Sequence, residues 1–230
     1  MHTTDFKITK AFSFCQAMLF VLIFSSASAQ SSNNQMVARE HILAMKDGAL
    51  LVRLQTRSQS IETLKDRGME DKAKQLEERQ RNQNLEYVEA FISEFDFAPV
   101  YFFRSEDSKL VKEGRLDEVV FLDGEMNADS SMKVMKKIIY TAEFGTVDPD
   151  DSKRREDYRL EKDSSGVKQK PTYYGSADMG FEALVIMNDQ FVQLRRPFPY
   201  YVRTFGKKGI INRSPKKTVR KMNEKLFQFY

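Results

Sequence analysis

The chain has 230 residues, a formal net charge of +4, one cysteine and two histidines. A lone thiol excludes a disulfide framework, a dithiol redox motif and a thiolate metal site, and so few imidazoles leave little from which to build a zinc centre or a Ser-His-Asp triad. Hydrophobic residues make up 41% of the chain, enough for a proper core in one domain of this length.

Met1 to Lys10 carries Lys7 and Lys10, Ala11 to Ser26 is an apolar run centred on Met18 to Phe24, and Ala27-Ser28-Ala29 supplies small residues for cleavage. Together these predict a secretory signal peptide over residues 1–29, cleaved after Ala29, and a periplasmic or secreted destination. The run is shorter than the roughly 20 apolar residues of a membrane span, and Ser13, Cys15 and Gln16 interrupt it. Removing 29 of the 230 residues leaves a cysteine-free chain of 201 in which His41 is the sole histidine.

Gln30 to Met36 is polar and small and reads as a disordered leader, followed by a single domain over residues 37–230. His41 falls on an N-terminal helix beside Glu40, a surface or helix-face position unless the fold brings it a serine and a carboxylate. After the turn pair Asp47-Gly48, Ala49 to Leu54 reads as a mostly buried first strand. Thr56 to Arg67 is helical, with Ile61 and Leu64 on one face, a capping box from Thr56 and Gln59, and Gly68 as its stop. Met69 to Phe95 continues at helical spacing across a polar interval from Glu77 to Asn84, so residues 56–95 form a helical hairpin or arm with that interval facing solvent.

Phe97 to Phe103 is the second strand, with Pro99 near its start, where a missing donor is tolerated. Ser105 to Gly114 is a short helix with Leu110 and Val111 inward, and Val119 to Leu122 is the third strand. Ile138 to Phe144 is the fourth, Ile139, Thr141 and Glu143 alternating with Tyr140, Ala142 and Phe144. Asp148 to Gly166 is a charged loop or two-stranded excursion. Ala183 to Met187, a turn at Asn188-Asp189 and Gln190 to Leu194 predict an antiparallel hairpin. Ser214-Pro215 opens the last helix, with Val219, Met222, Leu226 and Phe229 as its inward stripe.

Strands alternating with helices predict an α/β fold, with α+β as the alternative: one mixed sheet with flanking helices, closed by a hairpin and a helix. That order of elements resembles a thioredoxin layout with insertions. The family's Cys-x-x-Cys is absent from the mature chain, so the resemblance carries no redox activity.

Charge is divided along the chain. Residues 195–230 hold eleven Lys or Arg against Glu224 alone, a tail of +10, while residues 30–194 carry −7. Such asymmetry suits a basic tail packed on an acidic body, or contact with an anionic surface. Within the tail, basic and aromatic residues interleave around two prolines from Arg195 to Phe205. Arg195, Arg196, Tyr200, Arg203, Lys207 and Lys208 are therefore the candidate binding surface, with Phe198, Tyr201 and Phe205 buried beneath it. Export turns the expected partner from nucleic acid towards another anionic macromolecule or an acidic protein face.

Other constellations are weaker. Asp123 to Asp129 alternates oxygen side chains as a calcium loop does, but Ala128 and Val134 stand where an EF-hand loop needs glycine and glutamate. Asp148, Asp150 and Asp151 surround a turn at Pro149. No metal or cofactor is implied. Carboxylate-pair catalysis needs neither cysteine nor histidine, with Tyr173, Tyr174, Tyr200 and Tyr201 as aromatic platforms, and a carboxylate-based secreted hydrolase is the alternative to a non-catalytic binding domain.

Overall fold

Ala49 to Leu54 is apolar at every position but Arg53, and a strand of that composition needs cover on both faces. In the computed structural model, which describes residues 33–147, 158–163, 166–171, 181–205 and 212–230, it lies inside the main sheet. The expected signal peptide falls outside the described residues. The elements in chain order are α1 (33–47), β1 (Ala49–Leu54), α2 (Ser58–Asp66), α3 (Glu70–Glu94), β2 (Val100–Arg104), a 3-10 turn (Ser105–Asp107) and α4 (Ser108–Lys112). There follow β3 (Phe121–Leu122), β4 (Ile139–Thr146), β5 (Tyr158–Asp163), β6 (Gly166–Pro171), β7 (Glu182–Met187), β8 (Tyr201–Arg203) and α5 (Pro215–Phe229). Helix α1 begins at residue 33, inside the stretch expected as a leader.

The fold is α/β, with one mixed sheet of six strands in the order β3-β2-β1-β4-β7-β8 and a separate β5-β6 ribbon. Strand β1 runs parallel to β2 on one side and to β4 on the other. Strands β3, β7 and β8 each pair antiparallel with their neighbours. The antiparallel β7-β8 pair and the terminal helix α5 close the chain, and the parallel strand β4 stands between that pair and β1.

Alternation along β1 sends Leu50, Val52 and Leu54 to the larger core, where they meet Ile42 and Met45 of α1, Val88 and Phe91 of α3, and Val219, Met222 and Leu226 of α5. Ala49 and Leu51 point the other way, against Phe103, Val111 of α4 and Phe121. The β1-to-β2 connection thus covers one face and the β2-to-β4 connection the other. Gly48 joins α1 to β1 where a Cβ would lie 2.6 Å from the Ile138 carbonyl oxygen and 2.8 Å from that of Ala44, too close for any other residue without a backbone shift.

Three expectations are corrected. The interval from Glu77 to Asn84 is not uniformly solvent-facing, because Gln80 and Asn84 are buried. Spaced one helical turn apart, Gln80 Nε2 donates to Asn84 Oδ1 at 3.1 Å, and Asn84 Nδ2 donates to the Gln55 carbonyl at 2.7 Å. Paired amides can be buried where single ones cannot. The capping box at Thr56 and Gln59 does not form. Arg57 occupies the N-cap of α2 at φ 53° without a side-chain cap, and Thr56 Oγ1 instead meets Ser105 Oγ at 3.0 Å, tying the ends of β1 and β2 together.

The third correction concerns the hairpin, whose second arm is β8 and not residues 190–194. Asn188 Oδ1 accepts from the amides of Gln190 at 3.0 Å and Val192 at 2.9 Å, curling the chain into a local loop with Phe191 at φ 57°. Residues 190–194 keep one bridge, Met187 to Gln193. Pro197 and Pro199 then deny the segment two donors, and regular pairing resumes at Tyr201.

Candidate functional site

Helix α5 divides its cations between two neighbours. Ser214 accepts from Lys217 N at 3.3 Å and Pro215 fixes the first turn, which sets the phase of every later side chain. With Val219, Met222 and Leu226 turned into the core, Lys216, Arg220 and Asn223 fall on one flank and Lys221 and Lys225 on the other. The first flank meets the acidic end of α3. Lys216 Nζ lies 2.7 Å from Glu89 Oε1, and Arg220 grips Glu94 through two bonds of 2.7 and 2.9 Å. Asn223 Oδ1 accepts from the amides of Asp96 and Phe97 at 3.2 and 3.1 Å. The Arg220 hydrogen bond holds the Glu94 carboxyl below its usual range. This is the internal complementarity that the charge asymmetry predicts.

The other flank joins the aromatic segment at the β8 edge. Lys225 Nζ donates to the Tyr201 carbonyl at 3.2 Å and lies 5.8 Å from the centre of its ring. Burial pushes the Lys225 ammonium down; Tyr201 opposes this, and Lys221, Arg196 and Arg213 add to it. Those three cations therefore lie within electrostatic reach of Lys225. Arg196 Nη2 reaches the Tyr201 hydroxyl at 3.3 Å, and Arg213 Nη1 donates to the Arg203 carbonyl. The Arg203 guanidinium lies over Phe181, 4.3 Å from its ring centre, with Phe205 at 5.6 Å.

Of the candidate surface residues, Arg195, Arg196 and Arg203 are exposed, and Tyr200 is half-buried between two core clusters. Lys207 and Lys208 lie outside the described residues. Phe198 is buried as expected, whereas Tyr201 and Phe205 are only partly so. Sequence reasoning did not assign Arg213, Lys221 and Lys225 to this surface, although Lys217, Lys221 and Lys225 recur at four-residue intervals and so share a side of the helix.

A second polar region occupies the carboxyl ends of the parallel strands. A cleft of about 860 Å³ is lined by Glu62 of α2, Glu77 and Arg81 of α3, Arg104 at the end of β2, and Glu106 and Asp107 after it. A smaller cavity of about 110 Å³ lies at the ends of β1 and β4, and Gln80 lines both. Next to it, Arg53 Nη1 pairs with Glu143 Oε2 at 2.9 Å, and Gln55 Nε2 reaches the same oxygen at 3.3 Å. The lone charge in the apolar run of β1 was the visible signal for that pair.

The remaining candidates turn inward. Asp123 Oδ1 accepts from the amides of Glu125 and Asn127 at 2.9 and 2.8 Å, so its oxygens close their own turn, and the Asn127 amide holds the carboxyl below its usual range. Among the described residues no group of three or more His, Cys, Asp or Glu side chains is placed to hold a metal ion. His41 Nδ1 lies 3.0 Å from the Tyr140 hydroxyl, not against a serine and a carboxylate. Among the described residues no helix is long and apolar enough to cross a membrane. No protein-family model, curated protein or solved structure matches the chain.

Proposed function

We propose that this is an exported, non-catalytic binding domain whose basic surface at the β8-α5 edge holds an anionic macromolecule. One observation carries the reading: α5 pairs Lys216 and Arg220 with carboxylates of α3, yet sets Lys225 against Tyr201 of β8, within electrostatic reach of Lys221, Arg196 and Arg213. Like charges brought together repel, and an anionic polymer laid across them relieves that repulsion while releasing counterions. The Phe181 ring beneath Arg203 holds its guanidinium at the surface. The expected probe is heparin. Arg203→Ser combined with Arg213→Ser should elute from immobilised heparin at lower salt than wild type, with little change in melting temperature. Elution at the same salt would remove the basis for the reading.

A carboxylate-based hydrolase is the second reading, and the larger cleft favours it by placing Glu62 and Glu77 on α2 and α3 and Glu106 and Asp107 after β2. Against it, Lys65, Arg81 and Arg104 line the same cleft, and Asp107 Oδ2 accepts from Val120 N at 3.3 Å. Turnover of a polysaccharide that disappears in both Glu62→Gln and Glu106→Gln would replace the binding reading with this one.

A further inference from the structure

The smaller cavity lies where ligands gather in open α/β sheets. Strand β1 sends its connection across one face and β2 sends its return connection across the other, so the sheet reverses its winding between β1 and β4. At such a reversal the loops leaving the carboxyl ends part and leave a crevice. Here the crevice is walled by Arg53 near the end of β1, Gln55 and Arg57 just after it, Gln80 and Tyr87 of α3, and Glu182 at the start of β7.

Two charges there are uncommitted. Arg53 is neutralised by Glu143, but Arg57 and Glu182 make no ion pair among the described residues. Both line the cavity together with the Tyr87 phenol. Burial pushes the Tyr87 hydroxyl up, its bond with Gln83 opposes this, Glu182 and Glu86 raise it further, and Arg57 lowers it. The Tyr87 ring is fixed by a parallel stack on Phe144, with centroids 4.0 Å apart, so the wall is rigid. Arg57 is moreover held at φ 53°, a left-handed conformation unfavourable for a side-chain-bearing residue, and such outliers persist where surrounding structure imposes them. A glycine would serve the turn without strain.

We propose that this cavity binds a small zwitterion of the free α-amino-acid class, its carboxylate on Arg57 and its ammonium on Glu182. Size and charge both point that way. A volume of about 110 Å³ lies below the roughly 300–1,000 Å³ of drug-sized ligand pockets, which suits a molecule of a few heavy atoms. One cation and one carboxylate across a space lined with Gln55, Gln80 and Gln83 suit a ligand carrying both signs and polar edges. The site is distinct from the basic surface, and neither reading depends on the other.

The test is calorimetric titration of the full chain with glycine, L-alanine and L-serine, alongside acetate and methylammonium as single-charge probes. At least one amino acid should bind, and both single-charge probes should bind at least about tenfold more weakly, since each makes only half the contacts. Glu182→Gln and Arg57→Gly should each weaken binding by about tenfold or more. Glycine accepts positive φ, so Arg57→Gly should leave the melting temperature of the ligand-free protein unchanged or raised, which separates loss of a ligand contact from loss of structure. The proposal is overturned if no amino acid binds at about 10 mM, if acetate binds as well as the amino acids, or if either variant binds like wild type.

Discussion

Tyr140 stands at the junction of α1, β4 and the segment before β8, its hydroxyl against His41 and its ring 5.9 Å from the imidazole centre. Burial, followed by the charge of Asp189, pushes its phenol up to about 12 from an ordinary 10.0. Over that interval the unfolded chain releases the proton while the folded one keeps it. The stability this group contributes is fully present below pH 10.0 and is lost as pH rises towards about 12. Urea midpoints should therefore fall more steeply across that window in wild type than in Tyr140→Phe. Parallel slopes would mean that the phenol titrates as it does in the unfolded chain. Asn84 supports a second residue-scale expectation. Asn84→Ala removes the partner of the half-buried Gln55 carbonyl and of the buried Gln80 amide, and should cost about 1–3 kcal/mol in chemical denaturation. A change below about 0.5 kcal/mol, the range of ordinary surface substitutions, would show that water replaces the lost amide.

Among the elements, α5 is the most self-consistent. Its cap, its proline and its stripe all agree, and Leu226 is fully buried. Leu226→Ala should destabilise the protein by about 2–5 kcal/mol, because it deletes contacts with the sheet and leaves a cavity. Equilibrium unfolding monitored by circular dichroism reads this directly, and a loss under about 0.5 kcal/mol would place the helix outside the core. Strand β1, β4 and α5 were legible from sequence because one periodicity decides each. The second arm of the hairpin was not. Gln190 to Leu194 alternates like a strand, but the Asn188 side chain closes a loop on the amides of Gln190 and Val192, and a side-chain acceptor of that kind leaves no trace in hydrophobic period. The buried amides of α3 were hidden for a related reason: a polar run reads as solvated until the partner, here the Gln55 carbonyl 29 positions earlier, is known. The basic surface was half legible. Arg196 and Arg203 belong to the aromatic segment, whereas Lys221 and Lys225 join it through the phase of α5, and Arg213, just before that helix, through its bond to the Arg203 carbonyl.

Across the whole molecule, the +10 of residues 195–230 against the −7 of residues 30–194 is partly spent within the fold. Exposed pairs such as Lys216 with Glu89 contribute about 0–1 kcal/mol each, so this matching orients α5 more than it stabilises it. On the proposed function the cations of the other flank hold the anionic partner, through interactions screened over about 8 Å at physiological salt. If position and not total charge governs binding, two double variants of equal charge must behave differently. The decisive measurement is the salt needed to elute Lys221→Ser/Lys225→Ser and Lys216→Ser/Arg220→Ser from immobilised heparin, beside wild type. The first should elute at clearly lower salt with its melting temperature nearly unchanged, and the second close to wild type with a slightly lower melting temperature. Equal shifts in elution for the two would contradict a defined surface at the β8-α5 edge and leave net charge alone as the cause.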